Sequence, residues 1–216
     1  EKTELGGSTI YQDSDHIKIN DQSSSTWLEN EITELKKLDN LEIKTRTSVA
    51  AYHGYNYLLA RENLTDHLPN DEKLNKVRQR LLKIRAKKVI IATGSLERPL
   101  VFNNNDRPGI MLSSAVMKYA DYYGVATGRK NIFFTNNDTA YESAIALNRK
   151  GIKVEAIIDI RENPNSEFTK EIDSLGIKIY KNHTVVDTYG YKKLNKISIM
   201  ELSKDGQSFT NSNKIT

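Results

Sequence analysis

The stretch NIFFTNNDTAYESAIALNRKGIKVEAII, residues 131–158, decides the fold class of this chain. It predicts a strand over 131–134, a helix over 138–150 that ends at Gly151, and a second strand over 152–158. The pattern continues with a helix over 166–175, a strand over 177–180 and a hairpin formed by 185–188 and 197–202. Strands that alternate with helices are typical of a parallel sheet with helical crossovers, which predicts a Rossmann-like domain.

The turn after the first of these strands departs from the glycine motif of dinucleotide-binding domains. Such a strand normally runs into G-x-G-x-x-G or G-x-G-x-x-A, whereas this chain has TNNDTA from Thr135 to Ala140. Ala140 keeps the small residue at the third position, but Thr135 and Asn137 replace the first two glycines. A side chain at Asn137 stands where a pyrophosphate needs bare backbone, although asparagine tolerates a left-handed turn. We expect this domain to keep the fold and to have lost dinucleotide binding, with Asp138 capping the helix.

The first half of the chain predicts a different mixture of elements. A helix over 24–38 has apolar residues on one face and a capping box formed by Thr26 and Glu29. Strand signals over 42–51 and 55–61 follow. Because only a short turn separates them, they indicate a β-meander and not a crossover unit.

A further strand signal in this half is the segment RQRLLKIRAKKVIIAT, residues 78–93. Alternation over 82–87 predicts a half-exposed strand, and the apolar run Val89–Ala92 predicts a strand buried in a parallel sheet. This second strand ends at Thr93-Gly94. These signals divide the chain into three parts. Residues 1–98 are the remainder of a first dinucleotide-binding domain, with a β-meander and the ATG strand. Residues 99–125 form a connector and a helix, and residues 126–216 form a second Rossmann-like domain with a degenerate glycine motif.

Composition restricts the class of protein. The chain has 216 residues, of which 38% are hydrophobic and 28% are charged, as in a globular protein. No stretch approaches the length of a membrane span, so we expect no membrane association through such a segment. The absence of cysteine excludes disulfides, thiolate metal sites and thiol catalysis, and is compatible with a reducing cytoplasm, the predicted location.

A mild basic excess, a net charge of +4, is a weak argument for nucleic-acid binding. Lys83, Arg85, Lys87 and Lys88 form a basic strand face, for which solvated surface is the first interpretation and contact with another subunit is the second. Nucleic acid comes third, because no aromatic side chains interleave with these charges. No metal site is expected, since no ligand spacing joins the four histidines, which are predicted to lie in loops: His16, His53, His67 and His183.

Four segments together resemble one family. They are EKTELGGS at 1–8, VIIATGSLERP at 89–99, NNDRPGIMLSSAV at 104–116 and FTNNDTAY at 134–141. The chain is similar to the α subunit of heterotetrameric sarcosine oxidases. The resemblance implies an α/β fold of the two-dinucleotide-binding flavoprotein class, FAD/NAD(P)-binding and Rossmann-like with three layers (ββα). It also implies an internal segment that is incomplete at both ends, because the family's subunit is longer.

The resemblance implies cofactors and partners as well. The family's α subunit holds NAD, FAD lies in the β subunit, FMN lies at the subunit interface, and tetrahydrofolate binds a domain outside this segment. The expected partners are the β, γ and δ subunits. The reaction converts sarcosine, oxygen and tetrahydrofolate into glycine, hydrogen peroxide and methylenetetrahydrofolate. No residue of this chain inherits a catalytic role, because the flavins are held largely elsewhere.

Carried over by position, the resemblance also assigns the NAD-binding residues. Glu1 and Lys2 flank the adenosine ribose, and an acidic residue at the end of a second Rossmann strand has this role. The glycines of Gly6-Gly7-Ser8 allow close approach of the cofactor, with Ser8 on the pyrophosphate side. Val49 offers a backbone contact to the edge of the adenine, and Thr93-Gly94 passes close to the cofactor. We expect the chain alone to bind NAD weakly or not at all, because the preceding glycine loop is absent.

Several features keep two interpretations. Arg98, Arg107 and the run 103–106 border either a flavin phosphate or a partner subunit, or else form a structural hinge. Ser113-Ser114 fits a helix cap better than a nucleophile, since no G-x-S-x-G surrounds it. A helix face of three tyrosines fits core or interface better than a stacking site: Tyr119, Tyr122 and Tyr123. At the level of function, a related amine or opine dehydrogenase subunit and a non-catalytic interaction module remain alternatives.

Overall fold

The computed structural model describes residues 2–11, 17–210 and 214–216. The chain forms two compact units that divide between Ser95 and Leu96. We call the N-terminal part unit 1 and the C-terminal part unit 2.

Unit 1 begins with a 3-10 helix, Gly7–Ile10, the short strands β1 (Lys18–Ile19) and β2 (Gln22–Ser23), and helix α1 (Ser24–Lys36). The predicted capping box at Thr26 and Glu29 is wrong, because the helix starts earlier. Ser23 is the N-cap, and its hydroxyl accepts a hydrogen bond from the Thr26 N–H at 3.2 Å. Ser23 occupies the cap because its extended backbone leads from β2 directly into the helix.

The predicted β-meander is confirmed and has three strands. Strands β3 (Thr47–His53), β4 (Tyr57–Asn63) and β5 (Gln79–Arg85) pair antiparallel in the order β3-β4-β5. A short helix α2 (Asn70–Lys73) lies within the segment between β4 and β5. The alternation of apolar and basic residues in β5 therefore marks an edge strand of this sheet.

The strand predicted over Val89–Thr93 is wrong for this chain. Residues 86–112 contain no helix or strand, and the side chains of Ile90 and Ile91 are 91% and 70% exposed. A strand buried on both faces needs a hydrogen-bonded neighbour on each side and packing above and below. The described part of the chain supplies none of these to the VIIATG segment, so the apolar run alone does not make it a strand.

Unit 2 contains the alternating pattern that the sequence predicts. After helix α3 (Ser113–Asp121), the order is β6 (Asn131–Thr135), α4 (Thr139–Arg149), β7 (Val154–Asp159), α5 (Ser166–Ser174) and β8 (Lys178–Lys181). The three strands form one parallel sheet in the order β6-β7-β8. Strands β9 (His183–Tyr189) and β10 (Lys196–Glu201) then form the predicted antiparallel hairpin. The Rossmann-like prediction for this half is confirmed.

The two faces of this parallel sheet carry different layers. Ile157 of β7 is fully buried in a cluster with residues of α3, α4 and α5, including Met117, Leu147 and Ile172. Its neighbour Ile158 packs instead with residues of the hairpin, since successive strand residues point to opposite faces. Helices, parallel sheet and hairpin therefore form the three-layer ββα arrangement that was expected.

No helix in the described ranges is long and apolar enough to cross a membrane.

Candidate functional site

The carboxyl ends of the parallel strands are the first place to look for a site, because open α/β sheets bind ligands there. In unit 2, Thr135 ends β6 and Asp159 ends β7. The degenerate turn TNNDTA connects β6 to α4 at this edge. In a functional Rossmann domain, the corresponding turn is the one against which the dinucleotide pyrophosphate lies.

The turn closes on itself through side-chain oxygens. The Thr135 hydroxyl accepts a hydrogen bond from the Asn137 N–H at 3.1 Å, and the Asn137 carboxamide oxygen accepts from the Thr139 N–H at 3.1 Å. The Thr139 hydroxyl donates to the same Asn137 oxygen at 2.6 Å. Backbone N–H groups at a helix start are the donors that a phosphate would use. Because side chains already accept from two of them, the geometry supports the expected loss of dinucleotide binding.

Asp138 has a different role from the predicted one. It stands at the N-cap position of α4, but its side chain makes no cap hydrogen bond. Its carboxylate accepts instead from Nη2 of Arg161 at 2.7 Å. The capping function has passed to Asn137, whose carboxamide already serves the first turn.

A buried charge network lies next to this turn, and the sequence reasoning missed it. Asp159 is fully buried, and its carboxylate accepts from the Tyr141 hydroxyl at 3.0 Å and from the Arg161 N–H at 2.8 Å. The Arg161 guanidinium adds hydrogen bonds from Nε at 3.1 Å and Nη2 at 2.8 Å. Burial, together with the negative charge of Asp159, raises the pKa of Tyr141, so its hydroxyl remains a donor.

The position of Asp159 is the signal that could have identified this network. An acidic residue at the end of the second strand of a βαβ unit normally binds the ribose of a dinucleotide. Here the hydrogen bonds of Tyr141 and Arg161 satisfy that carboxylate within the chain. Two groups that bind a dinucleotide in a functional domain are the turn at the pyrophosphate and the acidic residue at the ribose. In unit 2, both already form hydrogen bonds with residues of the unit itself.

The NAD-binding residues implied by the resemblance lie in unit 1. Glu1 falls outside the described residues, whereas the remaining members of the set are all exposed to solvent: Lys2, Gly7, Ser8, Val49, Thr93 and Gly94. The Lys2 carbonyl accepts from the Arg46 N–H at 2.8 Å, and Arg46 immediately precedes β3. Lys2 is therefore held beside the start of the strand that carries Val49.

The two glycines before Ser8 differ in what they permit. Gly6 has a φ of +117°, and a Cβ there would clash with Cδ2 of Leu28 in α1. Gly7 has a φ of +62°, but a Cβ there would meet no atom within 4 Å. Close packing against α1 therefore explains Gly6. The open side of Gly7, next to the exposed Ser8, leaves backbone accessible to a ligand.

Val49 lies on an edge strand at an irregularity. The sheet gives β3 a neighbour on one side only, and the register shifts between Val49 and Ala51. A bulge leaves a residue out of the ladder, and an edge strand presents unpaired backbone groups. These features suit the backbone contact expected of Val49. Thr93 and Gly94, by contrast, lie in the extended segment without helix or strand, so no regular element positions them.

The connector before α3 is fastened to the hairpin of unit 2. The carboxamides of Asn103 and Asn104 donate to the Asp187 carboxylate at 3.1 Å and 3.2 Å. Arg107 donates through Nε to the Thr188 hydroxyl at 3.3 Å. These polar side chains have partners within unit 2, which favours the structural interpretation of the connector over a border for a flavin phosphate.

Glu97, and not a serine hydroxyl, caps helix α3. Its carboxylate accepts from the N–H of Ser113 at 3.0 Å, from the hydroxyl of Ser113 at 3.0 Å and from the N–H of Ser114 at 2.8 Å. Desolvation acts to raise the pKa of Glu97, but these donors outweigh it, so the pKa is lowered. Ser113 and Ser114 therefore act as hydrogen-bond donors, and the capping acceptor is the carboxylate of Glu97, the first residue of the E-R-P segment.

Other predicted features have mixed outcomes. The guanidinium of Arg85 lies 5.8 Å from the centre of the Tyr57 ring, which gives part of the basic face a structural role. Tyr119 lies in α3, whereas Tyr122 and Tyr123 follow its end. All three side chains are exposed, so a core role is wrong and an interface role stays a prediction. His53 ends β3 and His183 begins β9, which corrects their placement in loops, while His67 does lie in a loop and His16 falls outside the described residues.

Comparison with known proteins confirms the resemblance. The chain is 34% identical over 207 residues to sarcosine oxidase subunit alpha from Corynebacterium sp. (strain P-1), which is 95% of this chain and 21% of that protein. It is 32% identical over 194 residues to sarcosine oxidase subunit alpha from Rhizobium meliloti (strain 1021), 90% of this chain and 19% of that protein. The chain thus spans about a fifth of the length of these relatives. No protein-family model matches it.

Solved structures confirm the fold class. L-proline dehydrogenase from P. horikoshii matches 95% of this chain and 33% of its own, with a TM-score of 0.61 and 21% identity. Thioredoxin reductase from T. acidophilum matches 94% of this chain and 61% of its own, with a TM-score of 0.61 and 16% identity. An engineered water-forming NADPH oxidase bound to NADPH matches 89% of this chain and 40% of its own, with a TM-score of 0.52 and 13% identity.

Proposed function

We propose that this chain is the NAD-binding central part of the α subunit of a sarcosine oxidase complex. The observation that carries the proposal is the similarity to sarcosine oxidase α subunits, at 34% identity over 95% of the chain. The relatives are oxidoreductase subunits by name, and the structural neighbours include a proline dehydrogenase. The proposed activity is therefore that of an oxidoreductase acting on CH–NH groups within a multisubunit complex.

Unit 1 is the part proposed to hold NAD. Glu1 and Lys2 would flank the adenosine ribose, and Ser8 would face the pyrophosphate next to the accessible backbone of Gly7. Val49 would contact the adenine edge through its backbone, which the edge position of β3 supports. Thr93 and Gly94 would approach the cofactor from the extended segment after β5.

Unit 2 is proposed to serve as a scaffold. Oxygens of Thr135 and Asn137 already accept from backbone N–H groups of the turn after β6. Tyr141 and Arg161 already donate to Asp159, the acidic residue at the ribose position. A second dinucleotide would have to displace these hydrogen bonds and leave the buried Asp159 carboxylate without partners, which is costly. A single NAD per chain, held by unit 1, is the stoichiometry that this arrangement supports.

The chemistry is proposed to take place on cofactors outside this chain. Sarcosine would be oxidised at a flavin, with FAD in a β subunit and FMN at the interface, and tetrahydrofolate would accept the one-carbon unit in another domain. This chain contributes no acid, base or nucleophile to that reaction. Its proposed contribution is to bind and orient NAD and to contact the β, γ and δ subunits in the cytoplasm.

The test uses the protein isolated with whatever subunits accompany it. Bound small molecules are released and identified by mass spectrometry, and peroxide formation is measured with sarcosine as substrate. We expect NAD, FAD and FMN together with peroxide production that depends on sarcosine. A preparation without NAD and without sarcosine turnover would refute the proposal.

A related amine or opine dehydrogenase subunit is the second candidate. The structural match to L-proline dehydrogenase over 95% of the chain favours it, since that enzyme also acts on a secondary amine. Parallel assays with sarcosine, dimethylglycine, proline and opines separate the two. Turnover of proline or an opine with an artificial electron acceptor, without peroxide formation from sarcosine, would support this second candidate.

A further inference from the structure

Unit 1 contains a cationic cleft that plays no part in the proposed NAD site. Its volume is about 570 Å³, and it lies between the end of β4, the short helix α2 and the start of β5. The side chains that line it are Thr65, Asp66, Lys73, Lys76 and Arg78. None of these belongs to the set assigned to NAD. Three cations against one carboxylate give the lining an excess of two positive charges.

The carboxylate of the cleft is already satisfied. Oδ1 of Asp66 accepts from Nε of Arg78 at 2.6 Å, and Oδ2 accepts from the Gln79 carboxamide at 3.2 Å. The hydrogen bond from Arg78 and, more weakly, the charge of Lys73 hold the pKa of Asp66 below its ordinary value. Asp66 therefore stays ionised and fixes the orientation of Arg78.

The cations of the cleft have unused capacity. Arg78 meets Asp66 through Nε, and its two terminal nitrogens make no hydrogen bond to any described residue. Lys73 and Lys76 form no salt bridge within the described ranges, unlike Lys44 or Lys130 on the same chain. A guanidinium fixed at Nε presents its remaining N–H groups as a fork, which suits a planar or tetrahedral oxyanion. Two lysines beside it add point charges.

We infer that this cleft binds a small molecule that carries a phosphate group. Asp66 offsets only part of the repulsion among Arg78, Lys73 and Lys76, and a bound oxyanion would relieve the remainder. A divalent anion matches the excess charge of two. The cleft is open to solvent, since the side chain of Arg78 is 76% exposed, and it leaves room for a ligand that extends beyond its phosphate.

Inorganic pyrophosphate is the probe that tests this site. Its binding is measured by titration calorimetry on the protein prepared with its partner subunits, at two salt concentrations. The Lys73→Gln/Lys76→Gln variant removes two cleft charges, and Lys83→Gln/Lys87→Gln removes two charges from the same unit outside the cleft. We expect the cleft variant to lose at least about tenfold in affinity and the matched control less than about twofold.

Two results would overturn the inference: no measurable pyrophosphate binding by the unaltered protein, or equal losses in the two double variants. Circular dichroism and hydrogen exchange in β4 and β5 check that both variants fold. The NAD content of the same preparations, measured by mass spectrometry, is expected to be unchanged by either variant. Failure of the cleft and failure of the proposed function therefore give different readouts.

Discussion

Replacing Asp159 by asparagine is the most direct perturbation of unit 2. The change keeps the size of the side chain but removes the charge that four donor atoms of Tyr141 and Arg161 surround. The new amide NH₂ would also point at N–H donors of Arg161. Asp159 is fully buried, so water cannot replace the lost interactions.

The magnitude follows from the burial of the two partners. Breaking a buried ion pair by removing one partner costs about 3–5 kcal/mol. The Arg161 side chain is 30% exposed and keeps its ion pair with Asp138, so we lower the expected cost to about 2–4 kcal/mol. At about 1.4 kcal/mol per factor of ten, the opening equilibrium of unit 2 rises by about 30-fold to 700-fold.

Native-state hydrogen exchange measures this effect locally, in the amides of β7 and α4. The matched control is Asp138→Asn, the same chemical change on the other carboxylate of Arg161. That side chain is 36% exposed and makes one ion pair with Arg161, so its loss should cost no more than about 1 kcal/mol. The reasoning would be refuted if the two variants exchanged at similar rates, or if Asp159→Asn accelerated exchange by less than about fivefold.

Three further predictions concern groups whose contacts are equally specific. Because burial and the charge of Asp159 raise the pKa of Tyr141, its neutral form should stabilise unit 2 fully below about pH 10 and lose that effect as the pH rises further. In an alkaline spectrophotometric titration, Tyr141 should therefore ionise after the exposed tyrosines. The Tyr141→Phe variant should lack this late ionisation step. The pKa of Glu97 is lowered in the folded chain, so Glu97 should cap α3 fully above pH 4.5, its ordinary pKa, and lose this effect as the pH falls through the folded-state pKa. Amide hydrogen exchange at the start of α3 should then accelerate in acid. The Glu97→Gln variant should show little of this pH dependence. Gly6→Ala should destabilise the packing of the N-terminal segment on α1 by about 1–3 kcal/mol, whereas Gly7→Ala, with open space at its Cβ, should cost about 1 kcal/mol in thermal unfolding.

The sequence was a good guide where local pattern and tertiary packing agree. The elements of unit 2 appear within a few residues of their predicted bounds, because β7 and α4 are buried by their own neighbours in the chain. The VIIATG segment has the apolar run of a buried strand, but strand formation depends on partners that a local pattern does not contain. The side chain of Ile90 is 91% exposed, although the apolar run predicts that it is buried in a sheet.

Side-chain roles were harder to predict than elements. Ser23 and Thr26 are both acceptable N-caps by residue type, and only the backbone path from β2 selects Ser23. Glu97 caps α3 from a distance of sixteen residues in the sequence, beyond the reach of any capping motif. Asp159 was within reach of sequence reasoning, since its place at the end of β7 is the ribose position. Its pairing with Arg161, two residues later, depends on the turn that follows β7.

The turn after β6 indicates how a Rossmann-like unit could persist if, as we expect, it binds no dinucleotide. In a functional domain, phosphate oxygens accept hydrogen bonds from the backbone at the helix start, and an acidic residue meets the ribose. In unit 2, oxygens of Thr135 and Asn137 accept from backbone N–H groups, and Arg161 satisfies the acid. At the positions of the first two motif glycines, Thr135 and Asn137 therefore supply acceptors for backbone N–H groups that a phosphate would otherwise use. Since these acceptors are covalently part of the chain, the turn of unit 2 should keep its hydrogen bonds without NAD, whereas NAD bound to unit 1 should stabilise unit 1.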